Sequence, residues 1–309
     1  MKIALVGIGK IAQDQHVPAI AASDAWDLAA TCSNHGTVPG VEAHRDFAAM
    51  LAARPDIPVV SLCLPPVPRF AHAAQAIAAG RHVMLEKPPG ATLTECHTLT
   101  AMAQAAGVSL YATWHSREAA QVAAAKAWLA DKPLRRLEIV WKEDVRRWHP
   151  GQEWVFEPGG LGVFDPGINA LSILTEILPD PIHLSAATLE FPENRQTPIA
   201  AELRFHHVGG AAVGMALDWR QEGDQTWTIT ADTEAGRLVL RDGGARLEID
   251  GQEVGAAAGD ALVGEYPRLY AKMAALVARG GIDMDLAPMR HVADAFTLGR
   301  RVTVAPFHW

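Results

Sequence analysis

The chain has 309 residues, of which 49% are hydrophobic and 20% are charged, and its net charge is -8. This length suits two domains better than one, and the composition favours a globular protein over a disordered one. The acidic balance argues against nucleic acid as a partner, and no apolar run is long enough to span a membrane. The sequence begins directly with a strand pattern and its three cysteines form no C-x-x-C spacing, so we expect a cytoplasmic protein with free thiols.

The first 113 residues or so alternate strand and helix patterns. The predicted strands are Ile3–Val6, Trp26–Cys32, Val59–Leu64, His82–Glu86 and Ser109–Thr113. Ala-rich segments of helical period lie between them, at Phe70–Ala79 and Leu93–Ala106, and Gly80 and Gly107 are placed to end these helices. Such alternation predicts a parallel, doubly wound sheet.

A glycine-rich segment, Gly7-Ile-Gly9-Lys-Ile-Ala12, directly follows the first strand. Gly7 allows a tight turn, Gly9 lets a pyrophosphate approach the backbone, and Ala12 lets the helix pack closely on the strand. The N-terminus of that helix favours phosphate charge. A glycine match in this position predicts a dinucleotide site, and the alternative is a tight strand-to-helix turn that binds nothing.

The end of the second strand bears on which nicotinamide cofactor binds. An NAD-preferring site usually has an acidic residue there, whereas this strand ends Cys32-Ser33-Asn34-His35. Ser33 can donate a hydrogen bond to a 2′-phosphate, and Lys10 and His35 add positive charge nearby. We therefore expect the cofactor to be NADP or NAD: the protein should accept NADP, and it could prefer NADP over NAD. Alternatively, Ser33 and Asn34 merely form a turn and have no role in cofactor binding. The expected cofactor-binding residues are Gly7, Gly9, Lys10, Ile11, Ser33, Asn34, His35, Leu64, Pro65, Glu86 and Lys87.

After about residue 130 strand patterns follow one another without helices between them. They are Leu137–Trp141, Ile182–Glu190, Ala200–His206, Ala211–Leu217, Thr226–Thr230, Arg237–Leu240 and Arg246–Ile249. This run predicts a large, mostly antiparallel open sheet. Two helices, about Asp260–Ala278 and Met289–Arg300, close the chain, and the last is the candidate to pack back on the first domain. We thus predict an α/β fold with domains of residues 1–116 and 117–309, meeting at the carboxyl ends of the parallel strands.

Two further motifs carry residues suited to chemistry. The fourth strand ends Glu86-Lys87-Pro88-Pro89, where rigid prolines hold a lysine in position to reach a nicotinamide edge. Later, Gly159-Gly160-Leu-Gly-Val-Phe-Asp165-Pro-Gly-Ile-Asn169 precedes a helical run. Asp165 and Asn169 share one face if the helix has begun by Asp165.

With these motifs, the chain resembles the glucose–fructose oxidoreductase/inositol dehydrogenase/MocA family over nearly its whole length. The resemblance implies a Rossmann domain followed by an α/β domain with a large open sheet, and it implies that Lys87 and Asp165 are catalytic. Asn169 stands where the family usually has histidine, and because asparagine does not titrate, the acid–base role falls to Asp165 or Lys87. In having Asn169 together with Trp114-His115 and Trp148-His149, the chain resembles the branch of bacterial aldose 1-dehydrogenases that act on L-arabinose and D-galactose.

The resemblance implies oxidation of an aldopyranose at its anomeric carbon to an aldonolactone, by hydride transfer to nicotinamide. Lys87 would hold the C1 oxygen, and Asp165 would either take the proton or orient the lysine; alternatively, Lys87 is itself the base. Asn169 would bind a ring hydroxyl. The other expected substrate-binding residues are His115, Glu143, Trp148, His149 and Trp227, with Trp154 a weaker candidate. Against these stand two plainer interpretations, in which the tryptophans belong to the core and Glu143 to a solvated charge run.

Other activities remain open at this point. A related dehydrogenase would act on xylose, an inositol or a dihydrodiol, and a non-catalytic nucleotide-binding sensor would have no need for both Lys87 and Asp165. No metal site is expected, because His206 and His207 are adjacent on a strand and point to opposite faces. The open sheet would leave a face needing cover, so we expect a homodimer that binds a small-molecule sugar.

Overall fold

The computed structural model describes residues 1–255 and 264–309. It divides into two compact units, the first comprising Met1–His115 with Tyr266–Leu286 and the second Ser116–Glu265 with Ala287–Trp309. The segment that returns to the first unit is therefore residues 266–286. The last helix, which the sequence made the candidate to pack back on the first domain, is grouped with the second unit.

Sixteen strands are formed by the described residues. In chain order they are β1 (Lys2–Val6), β2 (Asp27–Cys32), β3 (Glu42–His44), β4 (Val59–Leu62), β5 (His82–Leu85), β6 (Leu110–Ala112), β7 (Leu134–Lys142), β8 (Ile182–Pro192), β9 (Ala200–His207), β10 (Ala212–Asp218), β11 (Thr226–Thr233), β12 (Gly236–Arg241), β13 (Arg246–Ile249), β14 (Gln252–Val254), β15 (Ile282–Asp283) and β16 (Arg300–Val304).

The helices of the described residues alternate with the strands in the first unit and cluster in the second. They are a π-helical turn (Ala12–His16) continuing into α1 (Val17–Ala21), then α2 (Phe47–Ala53), α3 (Pro66–Ala78), α4 (Leu93–Ala106), α5 (Val122–Leu129), α6 (Val145–Trp148), α7 (Phe164–Ile177), α8 (Glu265–Arg279) and α9 (Ala287–Leu298). Short 3₁₀ helices lie at His115–Glu118, Glu153–Phe156 and Asp242–Gly244.

The first unit is built on a seven-stranded parallel sheet in the order β15-β6-β5-β4-β1-β2-β3. This confirms the doubly wound sheet and its five predicted strands, although β4 ends two residues early, at Leu62. Helix α4 has the predicted bounds: a capping box at Thr92 begins it, and Gly107, with φ of 66°, ends it. Strand β3 was missed because three residues without apolar alternation give no strand signal.

Helix α8 supplies core residues to the first unit. Its apolar side chains recur at helical spacing, so they form one buried stripe. They form one cluster with residues of β1, β4 and β5. This cluster contains Tyr266, Leu269, Tyr270 and Met273 of α8, Ile3 and Leu5 of β1, Val59 of β4 and Met84 of β5. The start of the predicted helix, residues 260–263, lies outside the described residues.

The second unit is built on a nine-stranded sheet in the order β14-β13-β12-β11-β7-β10-β9-β8-β16. Only the pairs β7·β10 and β8·β16 are parallel, so the sheet is mostly antiparallel, as predicted. Helix α7 packs against α5 and α9 and contacts β7. Residues of β9 alternate between buried and exposed, which is the pattern of a sheet covered on one face. The helix predicted to run to Arg300 ends at Leu298, and β16 follows it.

No helix within residues 1–255 or 264–309 combines the length and apolar character needed to cross a bilayer.

Candidate active site

The glycine-rich loop joins β1 to the helical residues 10–21. Gly7 has a φ of +85°, and a Cβ there would lie 2.9 Å from Leu64 Cδ2, so both conformation and space demand glycine. A Cβ at Gly9 would meet nothing within 4 Å, so the backbone there is open to an approaching group. A helix N-terminus behind an unobstructed glycine fits a pyrophosphate.

The carboxyl ends of β2 and β3 place Ser33 next to Arg45, because Cys32 pairs with His44 in parallel register. The Ser33 hydroxyl accepts the backbone N–H of His35 at 3.3 Å, so the turn foreseen as an alternative is present. Lys10 forms an ion pair with Asp14. Arg45 is exposed and makes no ion pair or hydrogen bond within the described part of the chain. Sequence reasoning missed Arg45 because it missed β3.

The main chain around Lys87 is held on both sides. Buried Arg69 donates to the carbonyl oxygens of Glu86, at 2.6 Å, and of Pro88. The backbone N–H of Lys87 donates to Glu86 Oε2 at 2.9 Å. The Lys87–Pro88 peptide bond is cis. Lys87 thus projects from a backbone that is fixed just beyond the carboxyl end of β5.

Glu86 also belongs to a buried polar cluster. Its Oε1 atom accepts from Tyr266 OH at 3.0 Å and lies 3.0 Å from His16 Nε2, while His16 Nδ1 lies 2.7 Å from Tyr270 OH. Burial by itself raises the pKa of Glu86, but the hydrogen bond and charge of His16, with lesser help from His115 and Arg69, lower it to about 2.

The ring of His115, a predicted substrate residue, stacks on Tyr266 at 5.7 Å between centroids. His16, Tyr266 and Tyr270 were missed by sequence reasoning. The two tyrosines lie some 250 residues after His16 along the chain, and no local spacing links them to it.

In the second unit, sheet register assembles a carboxylate between two indoles. Lys142 pairs with Asp218 in parallel register, so Glu143 and Trp219 follow β7 and β10 side by side. Trp227 lies on β11, opposite Trp141. Trp219 Nε1 donates to Glu143 Oε1 at 3.2 Å, and Trp227 Nε1 donates to Oε2 at 2.8 Å.

Glu143 is only 5% exposed, so its assignment to a solvated charge run is wrong, although Arg146 and Arg147 beside it are exposed. Burial raises the pKa of Glu143 to about 7; the two indole hydrogen bonds and His149 oppose that rise, and nearby Asp165 adds to it. Trp219 was missed, because a single tryptophan after a strand does not differ from a core residue in sequence.

Asp165 is paired with His149, whose Nε2 lies 3.1 Å from Asp165 Oδ2. His149 Nδ1 lies 3.3 Å from Gln152 Oε1, which also accepts from Trp154 Nε1 at 3.0 Å. An indole N–H only donates, so the Gln152 atom is the amide oxygen and His149 carries a proton on Nδ1. His149 Nε2 and Asp165 therefore face each other across a site for one proton.

Helix α7 begins at Phe164, so Asp165 and Asn169 lie one turn apart on one face, as predicted. Asp165 is buried and Asn169 is half-buried, and the Asn169 amide makes no hydrogen bond within the described residues. The Trp148 ring packs against Trp227 at 5.5 Å between centroids, with the rings tilted by 49°, and its indole N–H donates to Gln225. The second unit thus brings together five predicted residues: Glu143, Trp148, His149, Asp165 and Trp227.

No group of His, Cys, Asp and Glu side chains suited to a metal ion occurs within residues 1–255 and 264–309. His206 is exposed and His207 is buried, which places them on opposite faces of β9.

Comparison with known proteins agrees with the glycine loop and the fold. Residues 1–113 match the GFO/IDH/MocA model, which describes an oxidoreductase family with an NAD-binding Rossmann fold. A galactose 1-dehydrogenase of Pseudomonas fluorescens is 42% identical over 320 aligned residues, covering 100% of this chain and 99% of that protein. The chain is therefore an oxidoreductase with an NAD-binding domain. It belongs to the GFO/IDH/MocA family, which confirms the resemblance found in its motifs.

Solved structures show the same fold. A D-galactose-1-dehydrogenase from Rhizobium etli is 52% identical with a TM-score of 0.94, over 99% of this chain and 97% of that one. A 3-ketoreductase from Actinomadura kijaniata, in complex with NADP, has a TM-score of 0.81 at 17% identity, over 98% of this chain and 99% of that one. At this identity the second likeness concerns the fold alone.

Proposed function

We propose that this chain oxidises the anomeric carbon of D-galactose to the aldonolactone. L-Arabinose is a second substrate, because the two sugars share the configuration of their ring hydroxyls. The observation that carries the proposal is the Glu143 carboxylate held by two indoles beside the His149–Asp165 pair. The proposal is further supported by comparison with other proteins, because the whole chain is similar to two galactose 1-dehydrogenases, at 42% and 52% identity.

The nucleotide is held by the first unit. Gly7, Gly9, Lys10 and Ile11 surround the pyrophosphate position, and Leu64 and Pro65 follow the neighbouring strand β4. No acidic residue follows β2, and Ser33, Asn34, His35 and Arg45 gather there instead, so NADP is accepted and preferred, with NAD also used. The bound nicotinamide supplies the hydride acceptor.

The second unit supplies groups that match a sugar. Each Glu143 oxygen accepts one indole N–H and keeps a lone pair for a ring hydroxyl. Trp148 and Trp227 offer apolar ring surface to the C–H face of a pyranose. The Asn169 amide has both a donor and an acceptor available for a hydroxyl. His115, in the first unit, is a further hydroxyl partner.

The proton and the hydride leave the sugar in one oxidation step. The C1–H bond breaks with its electron pair, the C1 hydroxyl loses its proton, and the C1–O bond becomes the lactone carbonyl. The Lys87 ammonium stabilises negative charge developing on the C1 oxygen. Asp165 takes the proton of the C1 hydroxyl, and His149 Nε2, which lies 3.1 Å from Asp165 Oδ2, then shares that proton.

A coupled assay tests the activity directly. NADPH and NADH formation is followed with D-galactose, L-arabinose, D-xylose, D-glucose and myo-inositol, and the lactone is trapped with hydroxylamine. Turnover with the first two sugars and little with D-glucose or myo-inositol is expected. Absence of turnover with both D-galactose and L-arabinose refutes the proposal.

The catalytic assignment has its own test in the same assay. Lys87→Ala and Asp165→Asn should each lower kcat by about 10²–10⁴-fold, the range of a lost proton-transfer or charge-stabilising group. Lys126→Ala, at an exposed lysine of α5 bonded to Glu176, is the matched control and should leave kcat unchanged. Near-normal turnover in either variant removes that residue from the chemistry.

A further inference from the structure

A buried polar cluster next to Lys87 has no part in the reaction described above. His16, Glu86, Tyr266 and Tyr270 are each at most 4% exposed. His16 ends a π-helical turn, a rare form that occurs mostly as single turns, often at functional positions. A buried histidine that is paired with a carboxylate and lies in such a turn therefore needs a functional explanation.

The cluster forms a continuous chain of hydrogen bonds that ends on the main chain of Lys87. Tyr270 OH contacts His16 Nδ1 at 2.7 Å, and His16 Nε2 contacts Glu86 Oε1 at 3.0 Å. The other carboxylate oxygen of Glu86 accepts the Lys87 N–H at 2.9 Å. One imidazole is thus linked through one carboxylate to the amide of Lys87.

The charges within the cluster compensate each other. Burial by itself lowers the pKa of His16, but Cys63, Tyr270 and Glu86 together raise it well above its usual value, which favours the protonated imidazole. The ionisable groups facing His16 are Cys63, Tyr266, Tyr270 and Glu86, while His115 and Arg69 also act on Glu86. Removing the imidazolium would leave a buried carboxylate without its main counter-charge, which is costly.

We propose that His16 is a positioning residue for Lys87. It fixes the Glu86 carboxylate, which fixes the Lys87 amide, while Arg69 holds the carbonyl oxygens on either side. The inference rests on the proposed function for the catalytic role of Lys87, and its geometry stands independently of that role. A displacement of about 1 Å in a catalytic group lowers turnover by about 10²-fold, so such support matters for kcat.

Hydrogen exchange of one amide reads this positioning without any substrate. Pro88 and Pro89 have no N–H, so a peptide covering residues 86–90 carries only the amides of Glu86, Lys87 and Gly90, and of these the Lys87 amide is the one bonded to the Glu86 side chain. His16→Gln, which keeps a polar side chain but no charge, should speed exchange in this peptide by about tenfold or more. Tyr270→Phe, which removes only the hydroxyl on His16, should shift exchange in the same direction by less.

His82→Gln is the matched control. His82 begins β5, the strand that ends just before Glu86, and its Nδ1 accepts the Ser109 N–H at 2.8 Å. This variant also loses a histidine hydrogen bond in the same sheet, but at the opposite end of the strand. Exchange of the 86–90 peptide should stay as in the wild type.

Kinetics with D-galactose give a second readout. His16→Gln should lower kcat by about tenfold or more and leave KM for the sugar and for NADP within about twofold, because only the alignment of Lys87 changes. The double variant His16→Gln/Glu86→Gln pairs two amides in place of the two charges and should recover part of the loss.

The outcomes separate the two claims. Unchanged exchange of the 86–90 peptide in folded His16→Gln, or equal acceleration in His82→Gln, overturns the positioning role. Accelerated exchange in His16→Gln and Tyr270→Phe alone supports it. A wild-type protein that oxidises no sugar refutes the proposed function, and the exchange result then still decides whether His16 positions Lys87.

Discussion

At Glu143 a single side chain combines burial, charge and two directed hydrogen bonds. A carboxylate removed from water tends to hold its proton, and the indoles of Trp219 and Trp227 only partly offset that tendency. With its pKa at about 7, Glu143 changes charge in the range where enzymes work. This property belongs to the residue and its immediate neighbours, so it can be tested by one substitution.

The stability of Glu143→Gln should depend on pH in a stated direction. The folded pKa of about 7 lies above the ordinary value of 4.5, so between these values the folded state keeps a proton that the unfolded state has lost. The free energy of unfolding of the wild type therefore falls as pH rises through this window, by up to about 3 kcal/mol. Relative to wild type, Glu143→Gln should gain stability from about pH 5 to about pH 8, measured by urea unfolding.

The control for this prediction is Glu157→Gln, which changes an exposed glutamate of the same unit. Its stability difference from wild type should stay constant across the same pH range. A Glu143→Gln difference that is equally flat would show that Glu143 is ionised throughout. In the same variant, kcat/KM for D-galactose should fall by about tenfold or more, because one indole loses its acceptor and the sugar loses a charged partner.

Among the elements, α7 depends on a close approach to the sheet. A Cβ added at Gly167 would lie 2.5 Å from Leu217 Cδ1 on β10. Gly167 sits in the first turn, two residues after Asp165, so any shift of this turn moves Asp165 as well. Gly167→Ala should therefore cost about 1–3 kcal/mol and also lower kcat.

Gly214→Ala is the control for α7. Gly214 lies on β10 as Leu217 does, but a Cβ there would meet only Leu203 O, at 3.8 Å, so stability should change little. Thermal unfolding and D-galactose turnover of the two variants decide the point. Normal Tm and turnover in Gly167→Ala would mean that Leu217 moves aside and that α7 is not held by this contact.

We expect the ends of β2 and β3 to act together on cofactor choice. Ser33→Asp should shift the ratio of kcat/KM toward NAD, because an acidic side chain repels a 2′-phosphate. Arg45→Ala should weaken binding of 2′,5′-ADP by about tenfold and leave 5′-AMP binding unchanged, since only the former carries the 2′-phosphate. Titration calorimetry with the two nucleotides measures this without turnover.

The control for the β2–β3 variants is Arg81→Ala. Arg81 bonds to the carbonyl of Pro55, away from the end of β3, and should affect neither nucleotide. An unchanged ratio of kcat/KM with NADP to kcat/KM with NAD in Ser33→Asp would show that this side chain does not influence cofactor choice. Equal weakening of both nucleotides in Arg45→Ala would show that Arg45 does not discriminate between them.

At the scale of the whole molecule, one face of the nine-stranded sheet indicates where two copies of the chain would associate. The row Val140, Ala216, Glu202 and Thr188 runs across four strands in register, and none of these residues is fully buried. We propose that a second copy covers this face and that the protein is a homodimer. Light scattering after size exclusion should give twice the chain mass.

Ala216→Arg should convert the dimer to a monomer, because an arginine is much larger than the alanine it replaces and would hold the two copies apart. Arg300→Ala, at an exposed residue of β16, is the control and should stay dimeric. A monomeric wild type would show that the protein is not a dimer. A dimeric Ala216→Arg variant would show that the interface lies elsewhere.

Much of the first unit was predictable because its signals are local. A glycine loop after a strand, helices that end at Gly80 and Gly107, and a lysine between Glu86 and Pro88 are each specified by neighbours in sequence. Short elements such as β3 escaped, because three residues show no period. The family motifs likewise pointed to Lys87 and Asp165 without knowledge of their partners.

The sequence by itself therefore determined the class of fold, the nucleotide loop and the residues of the two motifs. Only the tertiary structure decided which groups surround them: the indoles on Glu143, His149 on Asp165, and His16 with two tyrosines on Glu86. These contacts join residues up to 254 positions apart through sheet register and the return of residues 266–286. Backbone periodicity is set by near neighbours, whereas charge and proton affinity are set by whatever the fold brings within a few ångströms.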